Sequence, residues 1–420
     1  MNILLVAQNY HPFVGGVETQ ARMFAQTLVT RHQVQVAAGN FLPSRLPSRM
    51  NVLHTSLLTA SYAGYQDDAV PVHSLTPTLG QRLRMLPIAL RALPKVQRYA
   101  YHGLNRFGYR FFRAAHLPRL RALTAGVDIV HSLAGGYLGW AAQEAAQERG
   151  VPFVCSPYVH PHQWGDGPDD VAYYRRAQAV VALLETDRNY LASLGVPDEN
   201  LHIVGVVPDL MPTTDPADFR ERHGLGNYPF VLYVGRMMPQ KGAKAVLDAA
   251  PAVWARVPEA RFVFIGPGDD ASSAWFRECD PRILPLGKVS AQEKCDALAA
   301  CDLFCMPSTS EILPTVYLEA WSYGKAVVGG KADGVPELVE GNGAGVTVSQ
   351  LPDEVASALS GLLLDYQKCK VLGQRGKSLV QQQYTREAVV GSLEDIYANL
   401  CIQRLGLNQS SALIRHDIIA

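Results

Sequence analysis

Cys305–Glu340, CMPSTSEILPTVYLEAWSYGKAVVGGKADGVPELVE, reads as the end of a strand, a loop entering a helix, a short strand, and a second loop entering a helix. The apolar run Leu303–Pro307 leads into Thr309-Ser310-Glu311, and Pro314 stands where the first helical position is expected, since its missing N–H would be unpaired there anyway. Glu311 then lies in the loop and Glu319 about a turn and a half into the helix. The free N–H groups of a first turn, with the positive end of the helix dipole, seat a phosphate. One carboxylate before that seat and one beyond it could hold the hydroxyls of two sugars joined through a diphosphate. The competing reading of the pair alone is an N-terminal charge preference plus a solvated face.

The same strand–loop–helix grammar recurs outward from this stretch. From Phe230, FVLYVGRMMPQKGAKAVLDAA places Arg236 and Lys241 in a loop between strand and helix, where a planar fork and a point charge could clamp a diphosphate. Phe262–Ile265 with Gly266-Pro267-Gly268 is another strand and turn, and Leu284–Gly287 and Asp302–Met306 continue the pattern. The strand ends therefore carry Arg236 and Lys241, Gly266, Glu311 and Glu319, and Asp333-Gly334, which are expected to converge. At the start of the chain, residues 2–8 read as a buried strand, Gly15-Gly16 as a glycine turn, and VETQARMFAQTL as an amphipathic helix. This is the opening of a parallel, doubly wound sheet. The two glycines could admit a phosphate, or serve only a tight turn. Val127–His131 and Val151–Cys155 read as further strands. His160 and His162 follow the second of these, at the strand edge where ligands bind in such sheets, with a structural or exposed role as the rival. Pro208, Pro212 and Pro216 mark a linker. The expected domains are 1–208, joined by a C-terminal helix within 385–420, and 209–384.

At 420 residues, with 48% hydrophobic and 18% charged residues, the chain suits two ordinary globular domains. Lys+Arg and Asp+Glu both total 38, so net charge excludes no partner, but its distribution is uneven. Residues 69–127 hold ten Lys or Arg and no acid. Within them 81–121 mix Arg with Leu, Phe and Tyr, broken by prolines into short helical pieces. That suits an anionic membrane surface or a lipid-diphosphate acceptor, against a solvated basic face with snorkelling arginines. No nucleic-acid motif accompanies it. No apolar run is long enough to cross a bilayer, and MNILLVAQNY lacks the marks of a signal peptide. The seven cysteines show no metal spacing, so reduced core thiols in the cytoplasm are expected, with peripheral contact at the membrane's cytoplasmic face.

Taken together, NYHPFVGGVE, VGR with KG, IGPG, EILPTVYLE and DGVPELVE occur in an order and spacing that resemble the family 4 glycosyltransferases. The resemblance runs from the first glycine loop to the YTREAV helix. It implies a GT-B fold, α/β, with two Rossmann-like doubly wound parallel-sheet domains facing across a cleft and the C-terminal helix crossing back to the first. It implies retaining transfer of a hexose-type sugar from a UDP or GDP donor to an acceptor hydroxyl, in a lipid-linked or cell-surface glycan precursor. Arg236 and Lys241 would bind the diphosphate, Glu311 the transferred sugar and Glu319 the ribose. The backbone at Gly15, Gly16, Gly266, Leu313, Thr315 and Val316 would complete the donor cradle. The catalytic-region histidine falls on His160, with His162 as the rival register. No metal or other cofactor is expected, since the cations could replace Mg²⁺. Pro314 stands where the family commonly has Gly, Val206-Val207 replaces its Asn-Gly, and Asp333-Gly334 replaces a Gly-Gly. A non-catalytic scaffold of the same fold and a nucleotide-sugar epimerase or hydrolase are the alternatives.

Overall fold

The computed structural model describes residues 1–13, 15–39, 63–92 and 94–406. The last ten residues, and the part of 385–420 beyond 406, lie outside the described residues, as do the side chains at 90–104 within the basic segment. The chain forms two compact units. The first comprises Met1–Ala182, Arg188–Val204 and the chain from Val390, and the second Leu183–Asp187 with Gly205–Val389.

The first unit is built on strands β1 (Asn2–Ala7), β2 (Gln33–Ala38), β3 (Tyr65–Asp67), β4 (Val70–Ser74), β5 (Ile129–Leu133), β6 (Phe153–Cys155), β7 (Ala179–Ala182) and β8 (Leu201–Ile203). Their order is β3-β4-β2-β1-β5-β6-β7-β8, and all pair in parallel except β3 on β4. From Ile3 to Ala7, β1 is wholly buried. A strand covered on both faces by helices needs this continuous apolar run rather than alternation. One helical layer packs Leu138, Ala141 and Ala145 against Leu4, Val130 and Phe153.

The basic segment departs from expectation. A short helix, Leu79–Met85, and a 3-10 turn, Leu86–Ala92, are followed by one helix, Pro94–Leu123. Pro94 opens that helix, where proline is tolerated, whereas Pro118 sits inside it without ending it. Phe112, Ala115, Leu117 and Leu120 bury one face, and this packing outweighs a single lost hydrogen bond. Several of its arginines are paired: Arg113 with Glu144, Arg121 with Glu148 and Arg106 with Asp169. Three of the ten cations that look unbalanced along the chain are therefore balanced in space.

The second unit carries β9 (Phe230–Val234), β10 (Arg261–Ile265), β11 (Ile283–Gly287), β12 (Leu303–Met306), β13 (Ala326–Gly329) and β14 (Gly345–Thr347). The order β11-β10-β9-β12-β13-β14, all parallel, reverses between β9 and β12. Ligands of such sheets bind outside the carboxyl ends of the strands at that reversal, and the loops after β9 and β12 are those that carry Lys241 and Glu311.

Candidate active site

Two loops meet at the reversal. After β9 the chain passes Gly235-Arg236 into a 3-10 turn, Pro239–Lys241, and then helix Ala243–Trp254. Gly242 takes φ +81°, and a Cβ there would stand 2.6 Å from the Pro307 carbonyl oxygen. Glycine thus lets this loop lie flat against the loop after β12. The Thr309 amide donates to the Gln240 carbonyl at 2.8 Å, and the buried Ser308 hydroxyl donates to the same oxygen at 3.1 Å. The Gln350 side chain donates to the carbonyls of Gln240 and Pro307 at 3.1 and 2.8 Å. So clamped, the Lys241 ammonium donates to the Ser310 carbonyl at 3.0 Å and to Glu311 Oε1 at 2.5 Å. An ammonium has three donors, and these bonds leave one. Arg236 is exposed, and its guanidinium pairs with no carboxylate among the described residues.

Helix Thr315–Ser322 begins one residue later than the sequence suggests, with Pro314 as its N-cap at φ −75° and ψ 104°. Proline there cannot donate, but its carbonyl accepts from Tyr317 N–H at 3.0 Å. The amides of Thr315 and Val316 take no acceptor outside the helix among the described residues, which leaves them to an anion. Leu313 is buried beside them. Glu319 lies in the next turn, also buried, and pairs through Oε2 with Lys294 at 2.9 Å. Each carboxylate of the E-x7-E pair thus has its own lysine. Burial is the largest effect on Glu319 and pushes its pKa up, with the Lys294 charge pulling back. Burial, the largest single effect, would lower Lys294, but the charge and hydrogen bond of Glu319 together with the Asp209 charge hold the ammonium above its ordinary value.

Gly266, at φ +138°, serves a close approach. A Cβ there would lie 1.9 Å from the Gly235 carbonyl oxygen, and its own N–H donates to Gly287 at 2.7 Å. It shapes the loops and has no amide to offer a ligand.

In the first unit, Gly15 is the extended N-cap of helix Gly16–Leu28. A Cβ on Gly15 would lie 2.3 Å from the Glu18 carboxylate, whereas Gly16 has nothing within 4 Å. Glu18, not foreseen as a site residue, therefore lies against this helix start, the place read from sequence as a phosphate seat. His160 is half-buried after β6, in a bridge with Trp164 whose ring centroid is 4.7 Å away. His162 is exposed at φ +59°, its amide donating to Asp166 at 2.7 Å and its ring edge-on to Tyr190.

Ser308, Gln350 and Lys294 are missing from the sequence reading. Ser308 sits one residue before the Thr309-Ser310-Glu311 stretch and was within reach of it. Lys294, on helix Ala291–Ala300, and Gln350, just after β14, belong to no pattern that marks them. Among the described residues no cluster of three or more His, Cys, Asp or Glu could hold a metal ion.

Residues 15–206 match the family described as Glycosyl transferase 4-like domain, and residues 228–365 match Glycosyl transferases group 1. This chain belongs to the family 4 glycosyltransferases. It is a sugar-nucleotide-dependent glycosyltransferase of the GT-B fold. A Mycobacterium tuberculosis protein named GDP-mannose-dependent alpha-(1-6)-phosphatidylinositol monomannoside mannosyltransferase is 27% identical over 416 residues, spanning 94% of this glycosyltransferase and 97% of that protein. The alpha-D-kanosaminyltransferase of Streptomyces kanamyceticus is 27% identical over 54% of this chain and 61% of its own. Among solved structures, Anabaena HepE in complex with UDP superimposes with a TM-score of 0.66 at 18% identity, covering 95% of this chain and 100% of that one. Sucrose-phosphate synthase from Thermosynechococcus elongatus gives 0.68 at 16% identity, covering 95% and 99%.

Proposed function

We propose that this glycosyltransferase moves mannose from GDP-mannose to a hydroxyl of a lipid-linked acceptor, with retention at the anomeric carbon and without a metal ion. The observation that carries the site assignment is the clamped Lys241–Glu311 pair at the reversal of the second sheet. Negative charge develops on the leaving diphosphate, so prepositioned cations and amides are the groups that lower the barrier. Lys241, with its remaining donor, Arg236, and the amides of Thr315 and Val316 take the diphosphate. Glu311, held by Lys241, orients the transferred sugar, and Glu319 accepts from the ribose hydroxyls. In the first unit, Gly15, Gly16 and His160 are the further candidates that the family resemblance adds. GDP is favoured over UDP because the mycobacterial relative matched along nearly its whole length is named for GDP-mannose. That name also supports a lipid acceptor.

Peripheral attachment to the membrane is part of this reading. Leu79, Leu83 and Leu86 are 75%, 59% and 53% exposed, an uncovered i, i+4, i+7 stripe flanked by Arg82 and Arg84. Apolar side chains framed by cations suit an anionic lipid surface. No helix among the described residues is long and apolar enough to cross a membrane.

Titration calorimetry with GDP and UDP in EDTA, followed by turnover of GDP-mannose and UDP-glucose with a mannosyl-phosphoinositide acceptor, tests the proposal. Micromolar GDP binding that Lys241→Ala abolishes is expected, as is a fall in turnover of about 100-fold or more for Lys241→Ala and Glu311→Ala, with unchanged circular dichroism and an α-linked product by NMR. Binding of UDP alone would overturn the donor, and a β-linked product would overturn retention. Near-normal turnover in either variant would overturn the site.

A further inference from the structure

The second lysine–carboxylate pair is built differently from the first. Lys294 reaches from helix Ala291–Ala300 to Glu319 Oε2 at 2.9 Å, and its ammonium also donates to the Asp209 carbonyl at 3.2 Å and stands 3.9 Å from the Asp209 carboxylate. Only 6% of the Glu319 side chain is exposed. The Lys294 helix grips the same linker at further points. Asp215 N–H donates to Asp296 at 2.8 Å, and Gln292 donates to the Thr213 carbonyl at 2.8 Å. Lys294 is therefore placed by a rigid frame. It takes one defined oxygen of a buried carboxylate that the Asp209 backbone also holds, and supplies the one cation paired with it among the described residues. A ligand carboxylate held by an outer partner keeps one orientation, and such supporting contacts set affinity through the group they hold.

We propose that Lys294 is a positioning residue for nucleotide recognition, holding the Glu319 carboxylate so that it accepts the ribose hydroxyls of the donor. This rests on the reading of Glu319 given under Proposed function. Lys294 does not itself touch the nucleotide. Its removal should cost what Glu319 recognises, together with the bond to the Asp209 carbonyl.

The probes are GDP and 2′,3′-dideoxy-GDP, with UDP and its dideoxy counterpart in parallel, titrated into the full-length protein and into Glu319→Gln, Lys294→Met and Lys294→Arg. The unsubstituted protein should prefer the ribonucleotide by about tenfold or more, the scale of a hydrogen bond to a charged group. Glu319→Gln should lose most of that preference. Lys294→Met should lose it too while keeping its affinity for the dideoxynucleotide, and Lys294→Arg should restore part of it. If Glu319→Gln abolishes the preference and Lys294→Met retains it, the role of Lys294 is overturned and the ribose reading stands. If Glu319→Gln retains the preference, or the unsubstituted protein shows none, the ribose reading itself fails. Should Lys294→Met not fold, Lys294→Gln, which removes the charge and is too short to restore the full contact, replaces it. Full preference in that folded variant also overturns the proposal.

Discussion

Gly266 shows how much of the site is decided by a missing atom. Its position at the end of β10 suggests a donor contact, yet its amide is bonded to Gly287 and its α-carbon is pressed on the Gly235 carbonyl. The contact it provides is between loops, against the Gly235 that precedes Arg236. Gly266→Ala must move backbone, since the obstructing atom is a carbonyl oxygen rather than the end of a flexible side chain, and φ +138° is strained for any L side chain. The expected cost is about 2 kcal/mol or more, read as a lowered urea midpoint, with weaker nucleotide binding in the fraction that folds. An unchanged midpoint would mean that the loop has room to relax. Lys241 and Glu311 make the complementary point. Each is recognisable along the chain, but that they pair at 2.5 Å follows only from the adjacency of β9 and β12.

At the scale of elements, the basic segment is where sequence and structure part most. Prolines at 87, 94 and 118 suggest a broken series of helical pieces. Pro87 falls in a 3-10 turn and Pro94 at a helix start, but Pro118 is carried inside a continuous helix whose apolar face is buried. Two arginines of that helix, Arg113 and Arg121, meet Glu144 and Glu148, which lie on helix Gly136–Glu148. Among the described residues, an exposed leucine stripe lies on Leu79–Met85 and the turn that follows it. Leu83→Asp, at 59% exposure, touches no core and should leave stability within about 0.5 kcal/mol. It should lower binding to vesicles carrying phosphatidylserine several-fold in a sedimentation assay. Equal binding of the two proteins would remove the stripe from the membrane reading.

For the whole molecule, the last helix is the informative part. Helix Arg386–Arg404 starts in the second unit, and from Val390 the chain belongs to the first. There Tyr397 hydroxyl meets His131 Nδ1 at 2.6 Å, while Ser156 meets Nε2 at 2.8 Å. Glu394 pairs with Arg31 at 3.0 Å and His32 at 2.9 Å. His131 is fully buried, and burial pushes it down to about 3. The unfolded chain binds that proton near the ordinary 6.5, so below this pH the unfolded state takes up a proton that the native state refuses. The contribution of His131 is therefore whole above about pH 6.5 and is lost progressively toward pH 3, at about 1.4 kcal/mol per pH unit. His131→Asn should cost about 1–3 kcal/mol at pH 7.5 by unpairing Tyr397 and Ser156. The gap to the unsubstituted protein should narrow at pH 5.5 in urea unfolding. A gap independent of pH would show that His131 does not carry this dependence.

What the amino-acid order determined by itself was local and periodic. The buried runs, the glycine turns, the succession of strand, loop and helix, and the residues at the ends of strands were all legible, because each depends on a few neighbours along the chain. Together with the motif order they were enough for the two Rossmann-like halves and to single out Arg236, Lys241, Glu311 and Glu319 as candidates. Tertiary structure decided the pairings. Lys294 with Glu319, Ser308 and Gln350 on the Gln240 loop, and His131 with Tyr397 all join residues that share no pattern in the chain. Long-range contacts of this kind follow from strand order and helix packing. A lysine on an ordinary amphipathic helix carries no mark of the carboxylate it will meet.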